Sequence, residues 1–293
     1  MTSRAILRAM VGFYIAIFLL YLFGPLLVTG ITAFNTPTYP QAWPFETFTL
    51  DWFVALWNHR AMMEGLQNSV IIGLAVVALS VPMGLAASIM MNQIYARARG
   101  LFYLVTVSPV LTPGVIIGIS TVIFWKDALA LSDFTKSTFY NGLVLATLGQ
   151  ASFISAYCML IISARLQRFD RGQEEAALDL GASFPQVFWH ILLPFLRPAL
   201  ISAAVIAFLT SFENYNTTTF AILADKTLVT VIAGEVRQGT TPALSALAVV
   251  IITISLLGAI AYEILKRREE ARASRILEAG RQADRQAKAE LAA

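Results

Sequence analysis

Long uncharged stretches alternate with short polar breaks along this chain. Residues 9–45, 65–96, 101–125, 137–164 and 238–262 carry no charge, and 198–224 are interrupted only by Glu213. The hydrocarbon core of a bilayer takes about 20 residues of helix. The pattern therefore predicts six spans, centred roughly on 10–33, 66–91, 101–124, 143–164, 196–220 and 242–264. None of these runs shows the regular alternation of a barrel strand. Lipid cannot satisfy free backbone groups, so helices are the expected solution. The fold class that follows is an all-α integral membrane protein with six transmembrane helices.

Composition agrees with this pattern. Of 293 residues, 57% are hydrophobic and 13% are charged, against about 25% charged in soluble domains. The cations set the topology. With the N-terminus in the cytoplasm, the inner side holds Arg4, Arg8, Arg97, Arg99, Arg165, Arg168, Arg171, Arg197 and the basic residues from Lys266 onward. The outer side holds Arg60, Lys126, Lys136, Lys226 and Arg237, a division of 16 against 5. Both termini are expected inside. The net charge of +3 belongs to this bias and gives no reason to expect nucleic acid. The first run is too long for a cleaved signal and lacks a clear small-residue cleavage site.

Candidate chemistry is sparse. The single cysteine, Cys158, falls inside the fourth span, where a packed thiol is expected. His59 and His190 fall on opposite sides of the membrane, so they form no metal site together. No Gly-rich loop ending in Lys-Ser/Thr is present, so nucleotide hydrolysis by this chain is not expected. No cofactor is called for. The outer loop 34–65 starts with Pro37, Pro40 and Pro44 and continues with Trp43, Phe45, Phe48, Trp52, Phe53 and Trp57. It reads as a short amphipathic helix at the interface, either an anchoring belt or a docking surface for an extracytoplasmic partner. Pro25, Pro82, Pro109 and Pro113 are expected to kink their spans, with the Pro109/Pro113 segment a candidate for lining a pathway. The tail from Lys266 to Ala293 reads as a frayed surface helix whose Arg267, Arg268 and Arg272 meet anionic lipid.

One polar interruption is strongly patterned: Glu175–Pro194, EAALDLGASFPQVFWHILLP. Asp170 is placed to cap a helix, with Gln173 three residues on. Ala176, Ala177 and Leu180 form a small apolar face among Glu174, Glu175 and Asp179. Gly181 ends that helix. Ser183 starts a second, with Pro185 in its first turn and Gln186 at the capping-box position. Phe184, Val187, Phe188 and Ile191 add bulk, and Pro194 is expected to break the chain before the fifth span. Two short helices would then present a knob to a soluble partner.

The knob is similar to the signature loop of the inner-membrane permeases of binding-protein-dependent ABC importers: Glu-Ala-Ala, three residues, Gly, nine residues, Ile, one residue, Leu-Pro. Glu175, Ala176, Ala177, Gly181, Ile191, Leu193 and Pro194 match that spacing. Asn68-Ser69 resembles the start of the permease core. Leu209-Thr210-Ser211-Phe212-Glu213 and Gly239-Thr240-Thr241-Pro242 resemble the spermidine/putrescine branch, although Asn214 stands where that branch usually has a second acid.

The resemblance implies a permease subunit of an ATP-driven importer for a small cationic solute such as a polyamine. An opine, another organic solute, thiamine or an iron chelate is the alternative, and a secondary transporter is a more distant one. It implies a homologous second permease, two ATP-binding subunits that hold all catalysis, and an extracytoplasmic solute-binding protein. Residues 1–61 would form the first helix and outer loop, 62–264 the permease core in a bacterial inner membrane, and 265–293 a cytoplasmic tail. Glu174, Glu175, Ala176, Ala177, Gly181, Phe184 and Phe188 would couple to the ATPase. Glu213, Asn214, Tyr215 and Asn216, with Pro109 and Pro113, are the candidate pathway residues. Glu213 could accept an ammonium there or serve a structural role.

Overall fold

A computed structural model describes residues 3–130, 140–258, 260 and 264, with side chains from residue 7 onward. The tail 265–293 and the segment around Lys136 lie outside the described residues. The helices are α1 (Ser3–Ala33), α2 (Asp51–Asn58), α3 (Arg60–Gln93), α4 (Ala96–Leu111), α5 (Gly114–Ala130), α6 (Gly142–Leu166) and α7 (Arg171–Asp179). They continue with α8 (Phe184–Phe212), α9 (Asn216–Ala221), α10 (Leu228–Gln238) and α11 (Pro242–Gly258). The described residues hold no strand beyond one isolated bridge between Asn35 and Phe48. The chain forms two compact units, residues 59–238 and residues 1–58 with 239–293.

In the unit formed by 59–238, α3 and α6 make the core. α3 buries Met62, Ile72 and Val76 together with the small residues Gly65, Ser69, Gly73, Ser80, Gly84 and Ser88. Lipid is as apolar as a leucine side chain, so helices in a membrane gain by close backbone approach over small residues. At Gly84 a Cβ would stand 2.5 Å from Cys158 Cβ and 2.7 Å from the Met159 nitrogen. Ser163 Oγ donates to Ser88 Oγ across the same seam at 2.9 Å. On α6, Leu145, Ile154, Met159 and Ile162 are fully enclosed, joined by Leu196, Ala203 and Ala207 of α8. Cys158 is a packed thiol, as its place in the fourth run predicts.

Asn68 and Ser69, at the start of the permease-like region, act on distant backbone. Asn68 Nδ2 donates to the Lys226 carbonyl at 2.8 Å, and Ser69 Oγ accepts from the Leu228 amide at 3.0 Å. They thereby satisfy an amide at the start of α10 and a carbonyl just before it.

Two expected spans differ from the sequence reading. The third is broken: α4 and α5 meet at 100° across Thr112 and Pro113. Pro113 has no amide to donate and forces the preceding residue out of helix, and Thr112 is extended at φ −84°, ψ 133°. The fifth does not run to residue 220, because α8 stops at Phe212 and a turn separates it from α9. It also starts earlier than expected, since α8 runs from Phe184 with no break at Pro194. Residues Phe188–Leu192 form a π turn in which the Leu193 amide bonds to the Phe188 carbonyl. This widened turn absorbs the proline that lacks a donor. The sixth begins with α11, whose described helix reaches Gly258. Among the described residues, four helices are long and apolar enough to cross a membrane, or five with the bent pair counted as one.

In the other unit, α1 exposes its apolar side chains from Leu7 to Leu27 all round. After it, Asn35 organises the loop from a site only 1% exposed. Its Nδ2 donates to the Gln41 and Pro44 carbonyls, and its Oδ1 accepts from the Thr36 and Glu46 amides. Trp52, on the predicted amphipathic helix α2, donates from Nε1 to the Asn35 carbonyl at 2.7 Å. Trp43 and Trp57 stay largely exposed. Thr32 on α1 bonds Ser245 on α11 at 2.9 Å.

Candidate functional site

Two turns hold the residues singled out from sequence. The first follows α7. Asp170 caps that helix by accepting from the Gly172 amide at 2.9 Å. Gly181 ends it at φ +88°, a conformation that side chains disfavour. The Gly181 amide bonds the Leu178 carbonyl at 2.9 Å and the Ala182 amide bonds the Ala177 carbonyl at 3.0 Å. This is a full Schellman closure. Ser183 then opens α8, with its amide donating to Gln186 Oε1 at 2.7 Å and its Oγ at 3.0 Å. Within four residues the chain thus stops one helix and starts another using only local bonds.

This closure leaves apolar bulk pointing outward. Leu180 is 90% exposed and Phe184 72%. Glu175 and Ala176 are exposed, Glu174 and Ala177 half-buried, and Phe188 half-buried against the edge of Trp189. Trp189 is itself exposed and was not singled out in the sequence. Its position beside Phe188, on the turn away from buried Val187, is the signal that could have found it. Arg165, read from sequence only as a topological charge, ties the base of the knob together. Its guanidinium lies 4.3 Å over the Phe195 ring, and its Nε donates to the Phe195 carbonyl at 3.4 Å. Beside this base, Glu174 and Arg171 border a cavity of about 360 Å³ with Asn92, Gln93 and Gln167.

The second turn joins α8 to α9. Glu213 sits at the C-cap of α8 and is exposed. Asn214 Oδ1 accepts from the amides of Thr217 and Thr218 at 3.1 and 3.3 Å, so this side chain caps α9. Tyr215 Oη accepts from Arg237 at 2.9 Å. The turn meets the break in the third span through Gly114, where a Cβ would lie 2.9 Å from Thr217 Oγ1 and 3.1 Å from Asn216 Cβ. Pro113 stands next to this junction. Pro109, in the last turn of α4, faces a groove of about 460 Å³ lined also by Ser108, Thr112, Ser120, Thr121 and Ser152. Among the described residues no group of His, Cys, Asp or Glu is arranged to hold a metal.

A helical core zipped by small residues, a broken third span and an exposed knob between two apolar helices define a membrane permease of the importer type. Residues 80–270 match the family model described as binding-protein-dependent transport system inner membrane component, and the chain belongs to that family. It is 30% identical over 256 residues to the putrescine transport system permease protein PotI of Escherichia coli K12, covering 86% of this chain and 89% of that one. It is 26% identical over 260 residues to the spermidine/putrescine permease PotC of Haemophilus influenzae, covering 85% and 93%. A bacterial ABC transporter involved in the import of the acidic polysaccharide alginate has the same fold, with TM-score 0.66 at 18% identity over 88% of this chain and 93% of that one. The chain is therefore a permease component of an ABC importer, in a family of inner-membrane proteins.

Proposed function

We propose that this permease carries a small organic cation, a polyamine such as putrescine or spermidine. The similarity to PotI across 256 residues is the observation that carries this reading. In it, residues 62–264 form half of a pathway completed by a homologous permease. Of two ATP-binding subunits, one takes the knob of residues 174–188 into a groove on its surface, and an extracytoplasmic solute-binding protein delivers the cargo. The excess of cations in the inner segments supports a cytoplasmic side for both termini.

Glu213 supplies the carboxylate that a passing ammonium needs once part of its water is stripped. Asn214, already committed to capping α9, leaves Glu213 as the single acid of the Ser-Phe-acid stretch. Arg237 beside Tyr215 favours a second reading, an opine or metal chelate bearing negative charge. Uptake of radiolabelled putrescine by the reconstituted complex, at saturating solute-binding protein, tests the choice. Glu213→Gln should lower transport about tenfold, the loss expected for one charged hydrogen bond. Wild-type turnover in Glu213→Gln and Glu213→Ala would reject the pathway role. Stimulation by an anionic opine but not by putrescine would select the second reading.

A further inference from the structure

Gln150, in the middle of α6, is 1% exposed. A primary amide in such surroundings must be paired at both ends or destabilise the fold. Its two ends reach two different helices. Nε2 donates to Thr218 Oγ1 of α9 at 2.8 Å, and Oε1 accepts from Ser211 Oγ of α8. Thr218 and Ser211 are themselves enclosed. Thr218 Oγ1 spends its one hydrogen on the Asn214 carbonyl. The amide orientation follows, because the flipped amide would need a second hydrogen from Thr218.

Ser211 lies just before the 213–215 turn and Thr218 just after it. A single side chain from a third helix therefore bridges both sides of the break that presents Glu213. α6 is also the helix locked to α3 by Gly84 and by the Ser88–Ser163 bond. The clamp thus refers the turn to the most closely packed part of its unit.

We propose that Gln150 is a positioning residue for Glu213: it holds α8 and α9 at one fixed separation so that the carboxylate stays where the cargo passes. This rests on the pathway reading of Glu213. Without the amide, Ser211 and Thr218 lose their shared partner, and the turn is free to open without any change at the knob.

The test uses the assembled complex in liposomes, with putrescine as the probe. Glu213→Cys, alone and combined with Gln150→Leu or with the isosteric Thr218→Val, is labelled by a hydrophilic maleimide. The native Cys158, 1% exposed, gives the background. Labelling at 213 should change about threefold or more with Gln150→Leu and in the same direction, less strongly, with Thr218→Val. In parallel, putrescine carried per ATP hydrolysed should fall about fivefold in Gln150→Leu. It should fall no further when Gln150→Leu is added to Glu213→Gln, whereas a merely structural role would give multiplying losses. Labelling unchanged in both variants, or multiplying losses, would overturn the proposal. Altered labelling with a transport-silent Glu213→Gln would support the clamp and remove the cargo role of Glu213, which separates the two failures.

Discussion

The turn at 180–183 and the turn at 213–215 both interrupt helices, yet they are built in opposite ways. The first is closed by backbone bonds among neighbours, Gly181 to Leu178 and Ala182 to Ala177. Its glycine faces open space, with nothing within 4 Å of a Cβ, so Gly181 is needed for its φ of +88° alone. The second is held from far away, by Gln150 on α6 and by α5. There the glycines are needed for room. Cβ atoms at Gly114 and Gly118 of α5 would stand 2.9 Å from Thr217 Oγ1 and 2.5 Å from the Thr217 carbonyl oxygen. One turn is locally determined and leaves its apolar side chains outside. The other depends on its surroundings and buries the polar side chains that flank it, Ser211, Thr217 and Thr218. An exposed turn that keeps its shape unaided suits a part that another subunit must grip. A turn tied to the core suits a part that must keep a charge in register.

The sharpest way to break this contrast is a methyl group at each kind of glycine. Gly118→Ala places a carbon inside the van der Waals shell of the Thr217 backbone, which has no side-chain freedom to yield. The cost should be about 3 kcal/mol or more. Recovery of folded protein in detergent, followed by size exclusion, should drop more than about tenfold. Gly181→Ala should leave it near wild type, at a local cost of about 1 kcal/mol. Equal losses from the two substitutions would erase the distinction.

Gly181→Asp separates shape from coupling. It keeps the open space but adds a charge at the C-terminal end of α7, the negative end of that helix, near exposed Glu175 and Asp179. The protein should accumulate normally. Co-purification of the ATP-binding subunit and receptor-stimulated hydrolysis should fall more than about tenfold. Retention of both would remove the knob from the coupling role.

The same contrast explains what was legible in the sequence. The knob was readable because its determinants lie within a few residues of one another: Asp170 as cap, Gly181 as stop, Ser183 and Gln186 as restart. The break at Pro113 was foreseen as a kink for the same reason, although its 100° angle was not. Two errors came from bonds that hydropathy does not encode. Pro194 looked like a boundary because a proline removes a donor, but the π turn at Phe188–Leu192 had already shifted the bonding. Residues 213–220 looked like the end of a span because they are nearly uncharged, yet Asn214 caps a new helix there. Gln150 escaped notice because its partners are 61 and 68 positions away, and a lone amide in an apolar run carries no local pattern.

The smallest effect probes how much of the knob's firmness comes from its second half. In Ser183→Ala the backbone amide still donates to Gln186 Oε1, but the 3.0 Å bond from Ser183 Oγ is gone. Loss of a helix-capping hydroxyl typically costs about 1 kcal/mol. The fold should be untouched, since Ser183 is exposed and far along the chain from the glycine seams of α3 and α6. Phe184 and Trp189 would be held less firmly at the start of α8, and binding would have to order them. Titration of the ATP-binding subunit onto the permease in nanodiscs should then show an affinity about fivefold weaker. Gln186→Ala removes both bonds and should weaken it at least as much. An unchanged affinity in both variants would mean that the Schellman closure at Gly181 suffices to shape the knob, placing the whole local determinant in the end of α7.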